Sequence, residues 1–398
     1  MPKKTTSTSQ APRGSAQLIA TLRASMGSTC RFEDRYWDQQ LEGMLDKYLA
    51  AGNDTLIEAV IERLARDDSD CMQALLEHLQ TVSQGYLATV DGQSWQVLLM
   101  TAPLAVWTRY QLPQVELSSK NTADLAHALR QTVLTPNARL QLVPQLLGLD
   151  EMPRSFSQTR QWLHQLGDCA LGAGKQMPKP HKVEPNPALL VDTRHLVLVA
   201  AVPVGEPMFQ WQMDLQTSPE THLKAWIAQS QALFTQLLPG CQFDILIPQA
   251  YHTSIELSET HVRSVAIVSA CQWLQETLNL KPGELRATIA AVGERDAQEY
   301  RVGYHRGRQQ DVIYGTIWPI FDQPEHGDAS QSESVIDAVD EIAAILKQSG
   351  VNHIKRIPGV LIPETCDDCG APYFPNPSGE LVHAELPEEA FDAPMHFH

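Results

Sequence analysis

The chain is 398 residues long, 43% hydrophobic and carries a formal net charge of −17. That length and apolar content suit two or three globular domains, and rule out a disordered chain. The acidity argues against non-specific nucleic-acid binding and adhesion to anionic membranes, and no run reaches the roughly eighteen consecutive apolar residues of a membrane span.

Residues 1–15 hold Ser, Thr, Lys and Pro without apolar periodicity, and read as a disordered tail with no secretory signal. A helical region follows over 16–90. Leu56, Ile57, Val60, Ile61 and Leu64 share one face behind a Thr55-to-Glu58 capping-box pattern, with Gly52 ending the segment before, and Met72, Leu75, Leu76 and Leu79 repeat the spacing. Phe32, Tyr36, Trp37 and Tyr48 are the expected packing anchors of this layer.

From residue 91 short strands alternate with helices, and one layout recurs three times. In the first unit, 91–172, an apolar run ends at Ala102-Pro103-Leu104, a helix spans 122–134 and a second strand ends at Val143-Pro144-Gln145. A Gly/Pro linker, 173–187, leads to the second unit, 188–308. There the run ends at Val202-Pro203-Val204, a helix opens at Ser218-Pro219, a strand ends at Ile247-Pro248-Gln249, and an antiparallel meander follows. The third unit, 309–363, has Trp318-Pro319-Ile320, a polar loop over 323–331, a helix over 332–347 behind Ser330-to-Glu333 capping, and a strand end at Pro358 or Pro363. The first two units share a further helix, 155–171 and 258–278, each with a Trp-Leu pair, Trp162-Leu163 and Trp273-Leu274. Proline donates no ladder hydrogen bond and fixes φ, so it is expected to stop each strand where the chain turns. The expected fold is α+β: a helical layer, then an internally repeated strand-helix-strand body with mixed or antiparallel sheets, and over 364–398 a zinc-ribbon-like hairpin with a tail.

The hairpin carries the one spacing that chemistry requires. Cys366 and Cys369, separated by two residues and followed by Gly370, can present two thiolates to one metal from a tight turn. His383, His396 and the terminal His398 are within reach to complete a Cys₂His₂ or Cys₂His-plus-carboxylate set, with zinc the expected metal. Arms at Tyr373-Phe374 and Leu381-Val382 with a Pro- and Gly-rich turn resemble a zinc ribbon, but a second C-x-x-C is absent. Three readings stay open: structural zinc, a decayed knuckle without metal, and a redox pair, the last disfavoured by Asp367 and Asp368 beside the thiols.

Other candidates are weaker. Arg301, His305, Arg306 and Arg308 cluster in an otherwise acidic chain and could hold a carboxylate or phosphate, or else form a solvated hairpin tip. Gly172 to Lys175 fails as a phosphate loop, because Gln176 stands in place of Ser or Thr and Cys169 in place of the first glycine. Among fourteen histidines, His195, His252 and His305 are conceivable bases, yet no nucleophile elbow and no H-E-x-x-H accompanies them. Seven cysteines, five of them scattered singly, suit a reducing cytoplasm.

The run Cys366-Asp367-Asp368-Cys369-Gly370-Ala371-Pro372 through Pro375-Asn376-Pro377 to Glu385, with the Val202-Pro203-Val204 strand end, resembles an uncharacterised domain-of-unknown-function family of bacterial cytoplasmic proteins. The likeness covers residues 95–389 and implies a bacterial source and a conventional soluble fold, with no activity to carry over. The expected function is that of a binding or regulatory protein for a protein or small-molecule partner. The alternative is a metal-dependent or hydrolytic enzyme whose site lies where the Pro-ended strands converge, using His252 or the Arg301 to Arg308 cluster.

Overall fold

The computed structural model describes residues 14–108, 112–183, 190–214, 216–281, 283–294, 296–307, 309–320 and 338–387. Residues 1–13 of the expected 1–15 tail, the linker end at 184–187, the loop over 323–331, the Ser330-to-Glu333 cap, Arg308, His396 and His398 lie outside the described residues. The tail's last two residues, Gly14 and Ser15, instead cap and open the first helix.

Four helices open the fold: α1 (Ser15–Met26), α2 (Arg31–Ala50), α3 (Asp54–Asp67) and α4 (Ser69–Gln84). Leu18, Leu22, Leu41, Leu45, Val60, Leu75 and Leu79 form their common core. Gly52 takes φ 66° between α2 and α3, a left-handed conformation that glycine adopts without steric cost. The capping box does not form: α3 starts at Asp54, and the Asp54 carboxylate accepts instead from Ser155 Oγ at 2.9 Å. Two expected anchors are also displaced. Phe32 is 84% exposed and Tyr36 55% exposed, because the inward stripe of α2 runs through Leu41, Leu45 and Leu49, and neither aromatic falls on its i, i+4 continuation.

A hairpin follows, β1 (Gly85–Val90) and β2 (Gln93–Trp107), turned by Asp91 and Gly92 at φ 50° and 77°, the Asp-Gly signature of a tight primed turn. Next come β3 (Val115–Glu116), α5 (Ser119–Thr132), β4 (Arg139–Leu147), α6 (Phe156–Leu171), β5 (Val191–Pro203), α7 (Pro219–Leu237), β6 (Gln242–Ile245), β7 (Gln249–Ala250) and the long α8 (Tyr251–Thr277). β2 and β5 pair antiparallel at the centre of this sheet; β4 adds to the outer edge of β5, and β6 and β7 add to β2. The segments β2–α5–β4–α6 and β5–α7–β6/β7–α8 thus run in the same order, and each one's later strand pairs with the other's first. Helices α5 and α7 bury Leu125, Leu129, Trp226 and Phe234 on one face; α6 and the start of α8 bury Trp162, Leu163 and Tyr251 on the other.

Pro203 and Pro319 end β5 and β10 as expected, whereas other prolines lie inside strands. Pro103 sits inside β2, opposite His195, and the strand runs on to Trp107. Its missing donor coincides with the gap between β6 and β7, where the ladder skips residues 102 and 103 and the Pro103 carbonyl accepts from Leu246 N–H at 3.0 Å. Pro144 lies at a register shift within β4 rather than at its end. The described part of the expected linker lies along α6, with His181 N–H donating to the Glu151 carbonyl at 2.9 Å and Met177 packed on that core.

The second sheet holds β8 (Leu285–Val292), β9 (Glu299–Arg306), β10 (Tyr314–Pro319) and, after α9 (Ala338–Gln348), β11 (His353–Leu361), in the order β10-β9-β8-β11. The meander is antiparallel, whereas β11 pairs parallel to β8 and passes through Pro358 with a register shift. Ile289, Val302, Tyr304 and Trp318 bury against Ile342 and Leu346 of α9. Helix α8 serves both sheets: Tyr251, Ser254 and Ser258 are buried on the first, Ile267, Ala270, Cys271 and Leu274 on the second. Its start at Tyr251 precedes the expected residue 258, because small hydroxyls rather than apolar side chains pack its opening turns. Among the described residues no helix is long and apolar enough to cross a membrane.

Candidate metal centre

After β11 the chain folds back on itself over residues 364–373. Cys366 N–H donates to the Ala371 carbonyl at 2.8 Å, Gly370 N–H to the Cys366 carbonyl at 2.8 Å, and Tyr373 N–H to the Glu364 carbonyl at 3.0 Å. Gly370 closes this knuckle at φ 71°, as the spacing requires. Strands β12 (Phe374–Pro375) and β13 (Leu381–Val382) then pair, Phe374 opposite Val382. The turn between them is ordered by Asn376, whose Oδ1 accepts from Ser378 N–H at 2.8 Å and Glu380 N–H at 3.0 Å, while Gly379 takes φ 92°. The result returns His383 to the cysteines.

The ligating atoms of Cys366, Cys369 and His383 all lie within 4.8 Å of one another, with Cys369 Sγ 3.2 Å from His383 Nε2. These three could hold one metal ion. The Cys366 thiol is held below its ordinary pKa, first by the backbone amide of Cys369, then by that of Asp368. The knuckle's amides therefore favour the thiolate, whereas the sequence had directed attention to the opposing carboxylates of Asp367 and Asp368. Cys369 is exposed, and His383 Nδ1 is buried without a partner among the described residues. The expected fourth ligand, His396, lies outside them.

The hairpin is seated on the second sheet, on the face opposite α8 and α9. A Cβ on Gly315 would fall within the Phe374 ring, and one on Gly303 against the Pro375 carbonyl, so both strands need glycine where the hairpin crosses. Arg301 is 4% exposed. Its Nη1 donates to the Glu364 carbonyl at 2.9 Å and the Tyr373 carbonyl at 2.7 Å, and its Nε to Glu299 Oε1 at 2.6 Å. It thereby grips both strands at the base of the knuckle. On the far side Glu385 N–H donates to the Val312 carbonyl at 2.9 Å.

The profile of one protein family, described as "Protein of unknown function (DUF2863)", matches residues 3–397. The chain belongs to this family. The DUF2863 match takes in the helical layer as well as the sheets and hairpin, a wider span than the 95–389 expected. No curated protein and no solved structure matches the chain. Membership therefore brings no activity, and the rest of the DUF2863 site must be read from its geometry.

The remaining candidates do not converge on the cysteines as a group. Arg301 and His305 share a face of β9, with Arg306 on the other face at the strand's end. His252 opens α8 and meets the helical layer, its Nε2 2.9 Å from Ser83 Oγ and its ring 5.5 Å from that of Phe156. Since Ser83 Oγ donates to the Gln80 carbonyl, His252 Nε2 carries the proton and donates. Gly172 ends α6 at φ 79° as an ordinary left-handed helix terminus. The clamp formed by Arg301 was missed; isolated glycines within the meander strands, Gly303 and Gly315, were the signal that another chain segment approaches there.

Proposed function

We propose that Cys366, Cys369 and His383 bind one zinc ion, with His396 as the fourth ligand, and that this zinc hairpin is structural. On this reading the protein is a non-catalytic binding or regulatory protein for a protein or small-molecule partner in the cytoplasm. The observation that carries the proposal is the meeting of three soft and borderline ligand atoms within 4.8 Å in a knuckle whose amides favour the Cys366 thiolate. The seating of the hairpin in Gly303, Gly315 and Arg301 supports a clasp rather than an open reaction site. All seven cysteines are free, which supports a reducing compartment. The exchange of strands between β2–α5–β4–α6 and β5–α7–β6/β7–α8 supports descent of the first sheet from a duplicated unit.

The test is the metal content of the full chain purified without chelator or affinity tag. One zinc per chain is expected, lost in Cys366→Ser and Cys369→Ser. Cobalt substitution should give the intense visible bands of a tetrahedral thiolate site. Unchanged zinc with unchanged melting in both cysteine variants would eliminate the reading.

A metal-dependent hydrolytic reading draws on one observation, the exposure of Cys369 beside a three-ligand set, since catalytic zinc keeps three protein ligands and an open position. His396→Ala separates the two: full zinc retention with a water-exchangeable cobalt spectrum favours the enzyme, and weakened zinc favours the clasp.

A further inference from the structure

Strand β8 carries Arg286 on the face that bears the hairpin, directly opposite His305 on β9 and His353 on β11. Opposed residues of neighbouring strands project to one side, so three basic side chains make a row across the sheet. The next row holds Lys355, Thr288 and Gly303, and over it lies the hairpin turn, with Lys355 Nζ donating to the Pro377 carbonyl.

Two polar atoms in the basic row are left over. Arg286 Nε and His305 Nδ1 are both buried without a hydrogen-bond partner among the described residues. Arg286 forms no ion pair with any described carboxylate, in a chain of net charge −17 where such partners abound. His305 is 5% exposed, and its Nε2 lies 3.3 Å from Thr288 Oγ1. With Thr288 donating to Nε2, the ring proton sits on Nδ1, where the Gly307 backbone lies near but forms no hydrogen bond of good geometry. A half-buried guanidinium whose Nε is cut off from water, beside a buried ring N–H, is costly unless an oxyanion completes them.

We propose that Arg286 and His305 form an anion site that takes a phosphate group, either free or carried by a small molecule. Arginine presents a planar fork to two phosphate oxygens and the histidine N–H serves a third, while Lys355 supplies positive charge at the rim and His353 a further ring nitrogen. A guanidinium and an ammonium, with imidazole nitrogens beside them on three strands, suit the charge of phosphate better than that of a single carboxylate. The anion reading thereby moves from Arg301, whose guanidinium is committed to Glu299 and the hairpin carbonyls, to Arg286, while keeping His305. Burial first, then Arg286, lowers the His305 pKa, partly offset by the Gly307 backbone, so the neutral N–H donor suffices.

The test is calorimetric titration of the full, zinc-loaded chain with inorganic phosphate and, separately, phenyl phosphate, at ionic strength fixed with chloride. One saturable site is expected, weakened at least about tenfold in Arg286→Gln and in His305→Gln, and less in the rim variant His353→Gln. Phosphate should also raise the melting temperature of the parent chain but not of Arg286→Gln. Tighter binding of phenyl phosphate identifies a small-molecule ester as the source, and equal or tighter binding of inorganic phosphate identifies the free ion; both uphold the site. Absence of saturable heat with either probe at millimolar concentration overturns it, as does undiminished binding in both variants. If Arg286→Gln does not fold, His305→Gln and His353→Gln carry the comparison, with retained zinc showing that the hairpin is intact.

Discussion

Arg301 Nη1 donates to the Tyr373 carbonyl at 2.7 Å from a strand distant in sequence, and the same nitrogen reaches the Glu364 carbonyl that pairs with Tyr373. Removing this side chain takes a donor from Glu299 and from the Tyr373 carbonyl inside the sheet-hairpin junction, and leaves the Glu364 carbonyl with the Tyr373 N–H alone. Arg301→Gln should therefore cost about 3 kcal/mol in urea unfolding, and Arg301→Lys should not rescue it, because an ammonium cannot span three acceptors in a plane. Arg356→Gln, which breaks the exposed pair with Asp340, should leave the midpoint unchanged. Equal effects at the two arginines would remove Arg301 from its clamping role.

The Gly315–Phe374 approach gives a second prediction. Gly315→Ala places a methyl group where the ring now lies, and the ring cannot retreat without lifting β12. A loss of about 1–3 kcal/mol is expected, with faster proteolysis across 364–387, while Gly172→Ala on the far domain should leave that cleavage rate alone. Cleavage rates that do not separate the two variants would show that the hairpin is not seated by Gly315.

On the proposed zinc reading, removal of the ion should act locally. With the ion chelated, the knuckle loses the tie between His383 and the cysteines, but the cores of both sheets and of the helical layer keep their apolar contacts. Chelation is expected to speed hydrogen exchange in 364–387 and to leave β2 and β5 protected. Uniform deprotection of the whole chain would contradict this.

Acid should loosen the helical layer. Burial depresses the His252 pKa to about 4 and the His195 pKa to about 3. In the native state both rings stay neutral to those values, whereas in the unfolded chain they take protons below about 6.5. Between pH 6.5 and 4 the unfolded state thus binds more protons, and stability present above pH 6.5 is lost as pH falls. For His252 the loss is on the order of 2 kcal/mol once solvent at its exposed edge is discounted. The urea midpoint should fall between pH 7 and 4.5, and His252→Gln should flatten that slope. An unaltered slope in the variant would assign the acid response elsewhere.

Much of the helical layer and meander was legible, since Leu56, Val60 and Leu64 or Ala287 and Ile289 alternate with the period of the element that buries them. The knuckle was legible too, because Cys366, Cys369 and Gly370 are local in sequence. What stayed hidden depends on partners. Pro103 lies within a strand because β6 and β7 part beside it, and nothing near residue 103 encodes that gap. The start of α8 was hidden because its buried side rotates from Ser254 and Ser258 to Ile267 and Cys271, so no single apolar stripe marks the whole helix. The inward course of Arg301 is likewise set by carbonyls of residues 364 and 373, far along the chain.

That shared helix has a mechanical consequence. At 27 residues α8 is about 40 Å long, and its two halves are cemented into different sheets. Tyr251, beside the helical layer, and Leu274, beneath the strands that carry Arg286 and the Cys366–His383 hairpin, thus lie on one continuous rod. The two sheets share one shaft, so their relative placement is set by a single unbroken helix.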